Sequence, residues 1–293
     1  MKPKQNFQKR SGKKHDTSMM MRSRQKITNV QRQRGKYPIL AEKIVEMSDI
    51  ILEVLDARFI GETRNPEIEA VIKKRDKEIV YVFNKSDLVD ASKKSGEYLD
   101  KLSPHVFVSC FKKEGIRNLR DLIKIMANRV ENPVDKVLDK VTVGIIGYPN
   151  TGKSSLINLL AGRTATGVGA NPGFTKGIIK IRLTPKIMLL DSPGIISEGD
   201  YSTSYAYAMS KHTKLGARSY STVKEPEIAV FNLMKEYRDV LEKFYGIEAN
   251  GDAEILIEEL GKRKNFMRTG GQVDEDRTAR LILKDWQEGK IRL

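Results

Sequence analysis

Short apolar runs alternate with helix-like stretches through the middle of the chain. Residues 49–57 (DIILEVLDA), 78–87 (EIVYVFNKSD), 105–110 (HVFVSC), 141–148 (VTVGIIGY), 177–183 (GIIKIRL) and 186–194 (KIMLLDSPG) read as strands, most of them stopping at polar or glycine positions. Continuous apolar strands of this sort belong to a sheet covered on both faces. Between them, residues 65–74, 91–102, 116–130 and 153–161 carry a helical pattern, and the alternation predicts a mostly parallel, six-stranded α/β sheet. Residues 184–186 are too few for a crossover, so the last two strands are expected to pair as an antiparallel hairpin.

The pattern changes towards the C-terminus. Residues 198–222 are rich in Ser, Thr, Tyr, Gly and Lys and lose apolar periodicity, which reads as a mobile connection. Pro226 then suits the first position of a helix, and Ile228, Phe231, Leu233, Met234, Tyr237, Val240, Leu241 and Phe244 follow at helical spacing. Residues 254–260 and 275–288 read as further helices, giving a small all-helical C-terminal domain. The predicted division is a basic disordered arm (1–36), an α/β domain (37–200), a mobile connection (201–225) and the helical domain (226–293).

Charge separates the arm from the body. Of a net +15, residues 1–36 contribute 12 Lys/Arg against one acid, Asp16, and the other 257 residues only +4. A segment so poor in apolar residues cannot offset its ordering entropy. Its cations, among them Lys9, Arg10, Lys13, Lys14, Arg22 and Arg24, suit a nucleic-acid backbone, where each neutralised phosphate releases counterions. A solvated tail serving solubility or targeting would carry the same charge. One cysteine, Cys110, excludes an intramolecular disulfide and fits a reducing cytoplasm. With three scattered histidines it builds no zinc cluster, so no structural metal is expected. No apolar run approaches the ~20 residues of a membrane span, and the first residues have no apolar core of a secretory signal. The expectation is a soluble cytoplasmic protein with no membrane partner.

The strongest chemical signal is GYPNTGKS, residues 147–154, set between an apolar strand and a helix. Its glycines let backbone N–H groups, including those of Asn150, Thr151, Gly152 and Ser155, close around phosphate oxygens at a helix N-terminus. Lys153 is expected to reach the β- and γ-phosphates and Ser154 to ligate magnesium. DSPG, residues 191–194, ends a later strand, where Asp191 can hold magnesium through water and Gly194 can meet the γ-phosphate. By itself it is also ordinary turn chemistry. Thr175, in the Gly-rich segment between the two, is the candidate for a second magnesium hydroxyl, ordered only with triphosphate bound. Lys153, Thr175 and Gly194 are the candidate catalytic groups.

NKSD, residues 84–87, closes the second strand. Asp87 can accept from the ring N–H and exocyclic amine of guanine, whereas adenine would set a lone pair against the carboxylate. Asn84 would steady the loop and contact the base, and the Lys85 stem would lie over its face. Ser109 and the backbone of Cys110 could meet the guanine carbonyl. An Asn/Asp-rich turn is the plain alternative for NKSD taken alone.

Together these motifs resemble a translation-factor-type GTPase in rotated order, with NKSD and the Ser loop ahead of the phosphate loop. Numbered along the chain, the strands are expected to lie side by side as 5-6-4-1-2-3. The DSPG segment then becomes the last element of the α/β domain, tethered to the helical domain, a route by which nucleotide state could move that domain. With VLDAR (residues 54–58), TRNP (63–66), PGFT (172–175) and the C-terminal GGQVDEDRTARLILKDWQEGKI, the chain resembles the circularly permuted GTPases of the YlqF/YawG group. That resemblance implies a ribosome-assembly GTPase, acting mostly on the large subunit and its rRNA, with GTP/GDP and magnesium as ligands. It also implies slow intrinsic turnover, because Ile195 stands where small GTPases place a water-orienting glutamine. It makes Asn150 a ligand for potassium, an ion that could supply the positive charge otherwise given by an arginine finger; an ordinary loop residue is the plain alternative.

The helical domain says less. KRKNFMR (262–268), with Lys262, Arg263 and Lys264, mixes cations with Phe266 as RNA-contacting surfaces do, and equally as a solvated face does. The lone Trp286 reads as a packing anchor. Two other readings remain open: a constitutive RNA-binding protein with a vestigial nucleotide site, and a P-loop enzyme acting on tRNA or a small molecule.

Overall fold

The computed structural model describes residues 37–90, 97–135, 139–162, 179–192 and 211–293. The arm, Thr175, Gly194 and Ile195 lie outside the described residues. The α/β part runs α1 (Tyr37–Met47), β1 (Ile50–Asp56), α2 (Ile60–Thr63), α3 (Pro66–Lys74), β2 (Glu78–Asn84), α4 (Glu97–Asp100), β3 (His105–Phe107) and α5 (Ile116–Ala127). It continues with β4 (Val141–Ile146), α6 (Lys153–Ala161), β5 (Ile179–Arg182) and β6 (Ile187–Asp191). The C-terminal helices are α7 (Pro226–Tyr245), α8 (Ala253–Arg263) and α9 (Glu275–Gln287).

Among the described residues, six strands form one sheet in the order β3-β2-β1-β4-β6-β5, the predicted order read from the other edge. Every pairing is parallel except the β5–β6 hairpin, which is antiparallel as expected. β1 and β4 are buried along their whole length because both faces of the sheet are covered. Leu119 and Ile123 of α5 and Leu156, Ile157 and Leu160 of α6 pack on one face against Leu52, Val82 and Ile145. Ala41, Ile44 and Val45 of α1 and Ile68 and Ile72 of α3 cover the other, against Ile51, Ile146 and Leu190. α3 starts where the sequence placed it: Pro66 occupies the first turn and the Asn65 side chain accepts from the Ile68 N–H at 3.2 Å.

The helical region has its own core of Leu233, Met234, Leu241, Leu256, Ile257, Ile282, Leu283 and Trp286, joined by Phe59 and Tyr148 from the α/β part. Trp286 is fully buried, as a packing anchor should be. α7 is interrupted at Tyr237, whose φ of −132° and ψ of 35° are not helical.

Two expectations need correction, and α1 and the short α2 were not foreseen. The helix expected at 91–102 is helical only at Glu97–Asp100, residues 91–96 lying outside the described set. Residues 211–225 belong to the expected mobile connection, yet Leu215 and Val223 are buried in the helical core. Their backbone is fastened from α9: Trp286 Nε1 donates to Lys214 O at 3.0 Å, and Gln287 Nε2 donates to Thr213 O at 2.8 Å and Arg218 O at 2.9 Å. A segment short of apolar residues is thus held by side chains about seventy positions away, which local pattern cannot show. No helix among the described residues is long and apolar enough to cross a membrane.

Candidate functional site

The loops that leave β1, β2 and β4 meet the C-terminal end of β6 at one edge of the sheet, where ligands bind in open α/β folds. The loop after β4 is tight. Gly147, Asn150 and Gly152 have φ of 148°, 61° and 97°. A Cβ at Gly147 would run into the Val54 carbonyl, and one at Gly152 into the Asn84 amide, so close backbone approach demands glycine at both. α6 begins at Lys153 and directs its first N–H groups at this loop. Lys153 is buried, and its Nζ donates to Gly147 O at 3.0 Å and Tyr148 O at 2.8 Å, leaving its third N–H for a ligand oxygen. Thr151 is also buried and donates to Tyr148 O at 3.0 Å, so it shapes the loop from within.

Asn84 joins the separated motifs. Its Nδ2 donates to Thr151 O at 2.8 Å and its Oδ1 accepts from the Cys110 N–H at 3.1 Å, so one buried side chain ties the NKSD loop to the phosphate loop and the Ser loop. Asp87 accepts from Ser109 Oγ at 2.6 Å, and that oxygen accepts from the Lys112 N–H at 3.0 Å. Ser109 is fully buried and orients Asp87, while Asp87 and Cys110 face the cleft. Burial pushes the Cys110 thiol up to about 11 against the hydrogen bond with Asn84, so it stays a neutral thiol at physiological pH.

The cleft measures about 1210 Å³. Asn84, Lys85, Asp87 and Cys110 line it together with Asn150, Gly152, Lys153, Ser154, Ser155 and Asp191. Guanine-type and phosphate-type motifs that are far apart and inverted in sequence therefore share one cavity.

Comparison with known proteins agrees. A family model described as "50S ribosome-binding GTPase" matches residues 142–257. The chain is 34% identical over 264 residues to an uncharacterized GTP-binding protein of Methanocaldococcus jannaschii, covering 87% of this chain and 66% of that one. It is 31% identical over 295 residues to guanine nucleotide-binding protein-like NSN1 of Arabidopsis thaliana, covering 91% of this chain and 49% of that one. The chain thus spans from about half to two thirds of the length of these relatives. The crystal structure of GNP-bound YlqF from T. maritima superposes with a TM-score of 0.57 at 20% identity, over 92% of this chain and 94% of that one. The chain belongs to the circularly permuted GTPases.

In this permuted GTPase the helical region supplies one wall of the cleft, through Lys214, Gly216, Gln287, Lys290 and Arg292. Asn150 Nδ2 donates to Gly216 O, so the phosphate loop touches the segment fastened to α9. The C-terminal Leu293 N–H bonds Leu88 O, beside NKSD, at 3.1 Å. None of these wall residues was a sequence-derived site candidate, although Gln287 and Lys290 lie in the C-terminal motif that carried the resemblance. Asp56 and Arg58 of VLDAR were also without an assigned role. Asp56 pairs with Arg58 at 2.8 Å and with Lys85 at 2.7 Å, and Arg58 donates onward to Trp286 O at 3.1 Å. Burial alone would raise the Asp56 carboxyl, but the Lys85 and Arg58 cations outweigh it and hold it at about 2.

The residues fit magnesium. Asp191 Oδ1 is buried with no hydrogen-bond partner among the described residues, and burial raises its carboxyl against the pull of Lys153. A carboxylate and the Ser154 hydroxyl are the hard oxygen donors that magnesium takes alongside substrate phosphates. Among the described residues no three His, Cys, Asp or Glu side chains gather to hold a metal unaided.

Burial lowers the Lys153 ammonium to about 8, with Asp191 opposing. In the free protein this lysine therefore loses its charge as pH rises through about 8. Phosphate oxygens favour the charged form, so binding takes up a proton above that pH. We expect nucleotide affinity to be flat between pH 6 and 7 and to fall by up to tenfold per unit above pH 8. Calorimetric titration in buffers of different ionisation enthalpy checks both the trend and the proton uptake; a flat profile to pH 9.5 would contradict it.

Of the proposed RNA contacts, Lys262 pairs with Glu258 at 2.8 Å and Glu259 at 3.2 Å. Arg263 donates to the Tyr245 and Gly246 carbonyls, at the end of α7, at 3.1 and 3.0 Å. Both therefore have partners within the chain, and Lys264 is exposed beside them.

Proposed function

We propose that this protein binds GTP, hydrolyses it slowly, and acts as a switch on the large ribosomal subunit or its precursor. The observation that carries this reading is the Asn84 bridge, which brings Asp87 and the phosphate loop into one cleft despite their inverted order. Asp87, held by Ser109, accepts from the two N–H donors on the guanine edge, and the Lys85 stem, anchored at Asp56, lies along the base. The N–H groups at the start of α6 and the Lys153 ammonium hold the β- and γ-phosphates. Ser154 and Asp191 would hold magnesium, with Thr175 as a further ligand; when bound, the ion neutralises charge developing on the phosphate oxygens. Gly194 would contact the γ-phosphate. Ile195 cannot orient water, so turnover is expected to be slow and raised by the ribosomal partner. Asn150 would add potassium at the phosphates through its carboxamide oxygen, its nitrogen being engaged by Gly216. Turnover should accordingly be several-fold faster in KCl than in matched NaCl, and equal rates would remove that role.

The ribosomal partner is supported by the matched family model and by the basic arm, whose rRNA contact remains part of this proposal, as does a cytoplasmic location. Co-sedimentation with ribosomal subunits tests it, comparing a non-hydrolysable GTP analogue, GDP and no nucleotide. Large-subunit binding with the analogue alone is the expected result. Equal binding in all three states would instead indicate a constitutive RNA-binding protein with a vestigial site. Guanine selectivity is tested separately. Asp87→Ala leaves two guanine donors unpaired and should weaken GTP about 100-fold, with ATP competing far better than against the wild type.

A further inference from the structure

Outside the arm, residues 37–293 hold 41 Lys/Arg against 37 Asp/Glu. Six of those cations and two of the acids fall in residues 111–129, so this segment carries a net +4, the whole net charge of the body. It forms the turn after β3 and then α5. Ser109 and Glu114 exchange both backbone hydrogen bonds, at 3.0 and 3.1 Å, and close the turn, with Lys113 left-handed at φ 60°. Phe111 stands on this closed turn at the rim of the nucleotide cleft and is 88% exposed; among the described residues the next most exposed large apolar side chain, Ile228, is 54% exposed.

Beside the turn, Lys113, Arg117, Arg120, Lys124 and Leu159 line a groove of about 570 Å³, and Asp121 is the single acid in its lining. Lys124 and Arg117 share that one carboxylate, at 3.3 and 4.0 Å. Arg120 is fixed by donating to Leu159 O and Leu160 O at 2.7 and 2.8 Å, at the C-terminal end of α6. Lys112 and Lys113 make no ion pair among the described residues. Uncompensated cations beside a displayed aromatic ring satisfy two needs of single-stranded RNA together: phosphates take the charges and an unstacked base takes the ring face. An acidic protein would use only the charges.

We propose that this groove and Phe111 bind single-stranded RNA, with phosphates at Lys113, Arg117 and Lys124 and a base stacked on Phe111. The proposal deepens the functional reading above, resting on its RNA-containing partner. The test uses the full chain and a labelled single-stranded RNA of about 12 nucleotides. Arg117 and Lys124 are exposed, so a double charge reversal, Arg117→Glu with Lys124→Glu, should fold and bind GTP as the wild type does. It should lower RNA affinity at least tenfold and reduce the dependence of log K on log salt by about 1.4. Phe111→Ala should lower RNA affinity roughly tenfold. Unchanged RNA affinity in the charge reversal would overturn the groove, and an unchanged Phe111→Ala would overturn the stacking. Displacement of the RNA by an equal concentration of oligoglutamate would reassign the surface to an acidic protein. Sedimentation separates the two readings. Wild type and charge reversal binding the large subunit alike, in the triphosphate state only, would keep the switch and remove this surface. A wild type that binds no subunit, with the oligonucleotide results as expected, would remove the ribosomal partner and keep it.

Discussion

Lys153→Ala is expected to cost roughly 100-fold or more in GTP affinity and to bring hydrolysis to background. The ammonium is buried, holds two loop carbonyls and has one N–H left for phosphate. Its removal therefore takes away a desolvated charge facing the triphosphate, a loss of about 3–5 kcal/mol. It also unties the carbonyls of residues 147 and 148, so a conservative control is informative. Lys153→Arg keeps the charge but sets a planar fork where a compact ammonium fits, and should recover only a small part of the affinity. Equilibrium binding of a fluorescent GTP analogue, with single-turnover hydrolysis, measures both. GTP bound by Lys153→Ala as tightly as by the wild type would sink the phosphate-site assignment.

Asp56→Ala is expected to have the largest effect on stability. Asp56 and Arg58 are both almost fully buried, and Asp56 also holds Lys85. Removing the carboxylate leaves a buried guanidinium without its counter-charge, worth about 3–5 kcal/mol. At this chain length that shifts the midpoint of thermal unfolding on the order of 10 °C. Because the folded carboxyl sits at about 2, below its ordinary value, it adds stability above roughly pH 4 that is lost as pH falls towards 2. The linked contribution is about 2 kcal/mol. The wild type should therefore lose more stability than Asp56→Ala between pH 5 and pH 2.5. Denaturant titrations at the two pH values check this; parallel losses would mean that the carboxylate carries no such linkage. The variant should also loosen the base side of the cleft, since Lys85 loses its anchor while Arg58 still reaches Trp286 O on α9.

Much of the framework was legible because its signals are local. Apolar runs bounded by polar residues marked β1, β2, β4 and β6, and Pro226 marked a helix start through its fixed φ and missing N–H. The phosphate loop was legible because close backbone approach admits only glycine at residues 147 and 152. α1 escaped because it follows directly on the basic arm, and its value lies in Ile44 and Val45 closing a sheet face formed by distant strands. The 211–225 segment escaped because it is fastened by α9 and contributes few apolar residues of its own.

Residue spacing by itself determined the parallel sheet with one hairpin and the set of groups able to take a guanine nucleotide, since periodicity and motif chemistry act within a few residues; the strand order followed from the resemblance to a GTPase in rotated order. The tertiary structure decided which of those groups touch. Only folding set Asn84 between Thr151 and Cys110, buried Ser109 behind Asp87, joined Lys85 to Arg58 through Asp56, and brought Gly216 and Gln287 to the wall of the cleft. Most of those contacts bridge 22 to 67 positions, and pairings of that range follow from how helices and strands pack rather than from any local run of side chains.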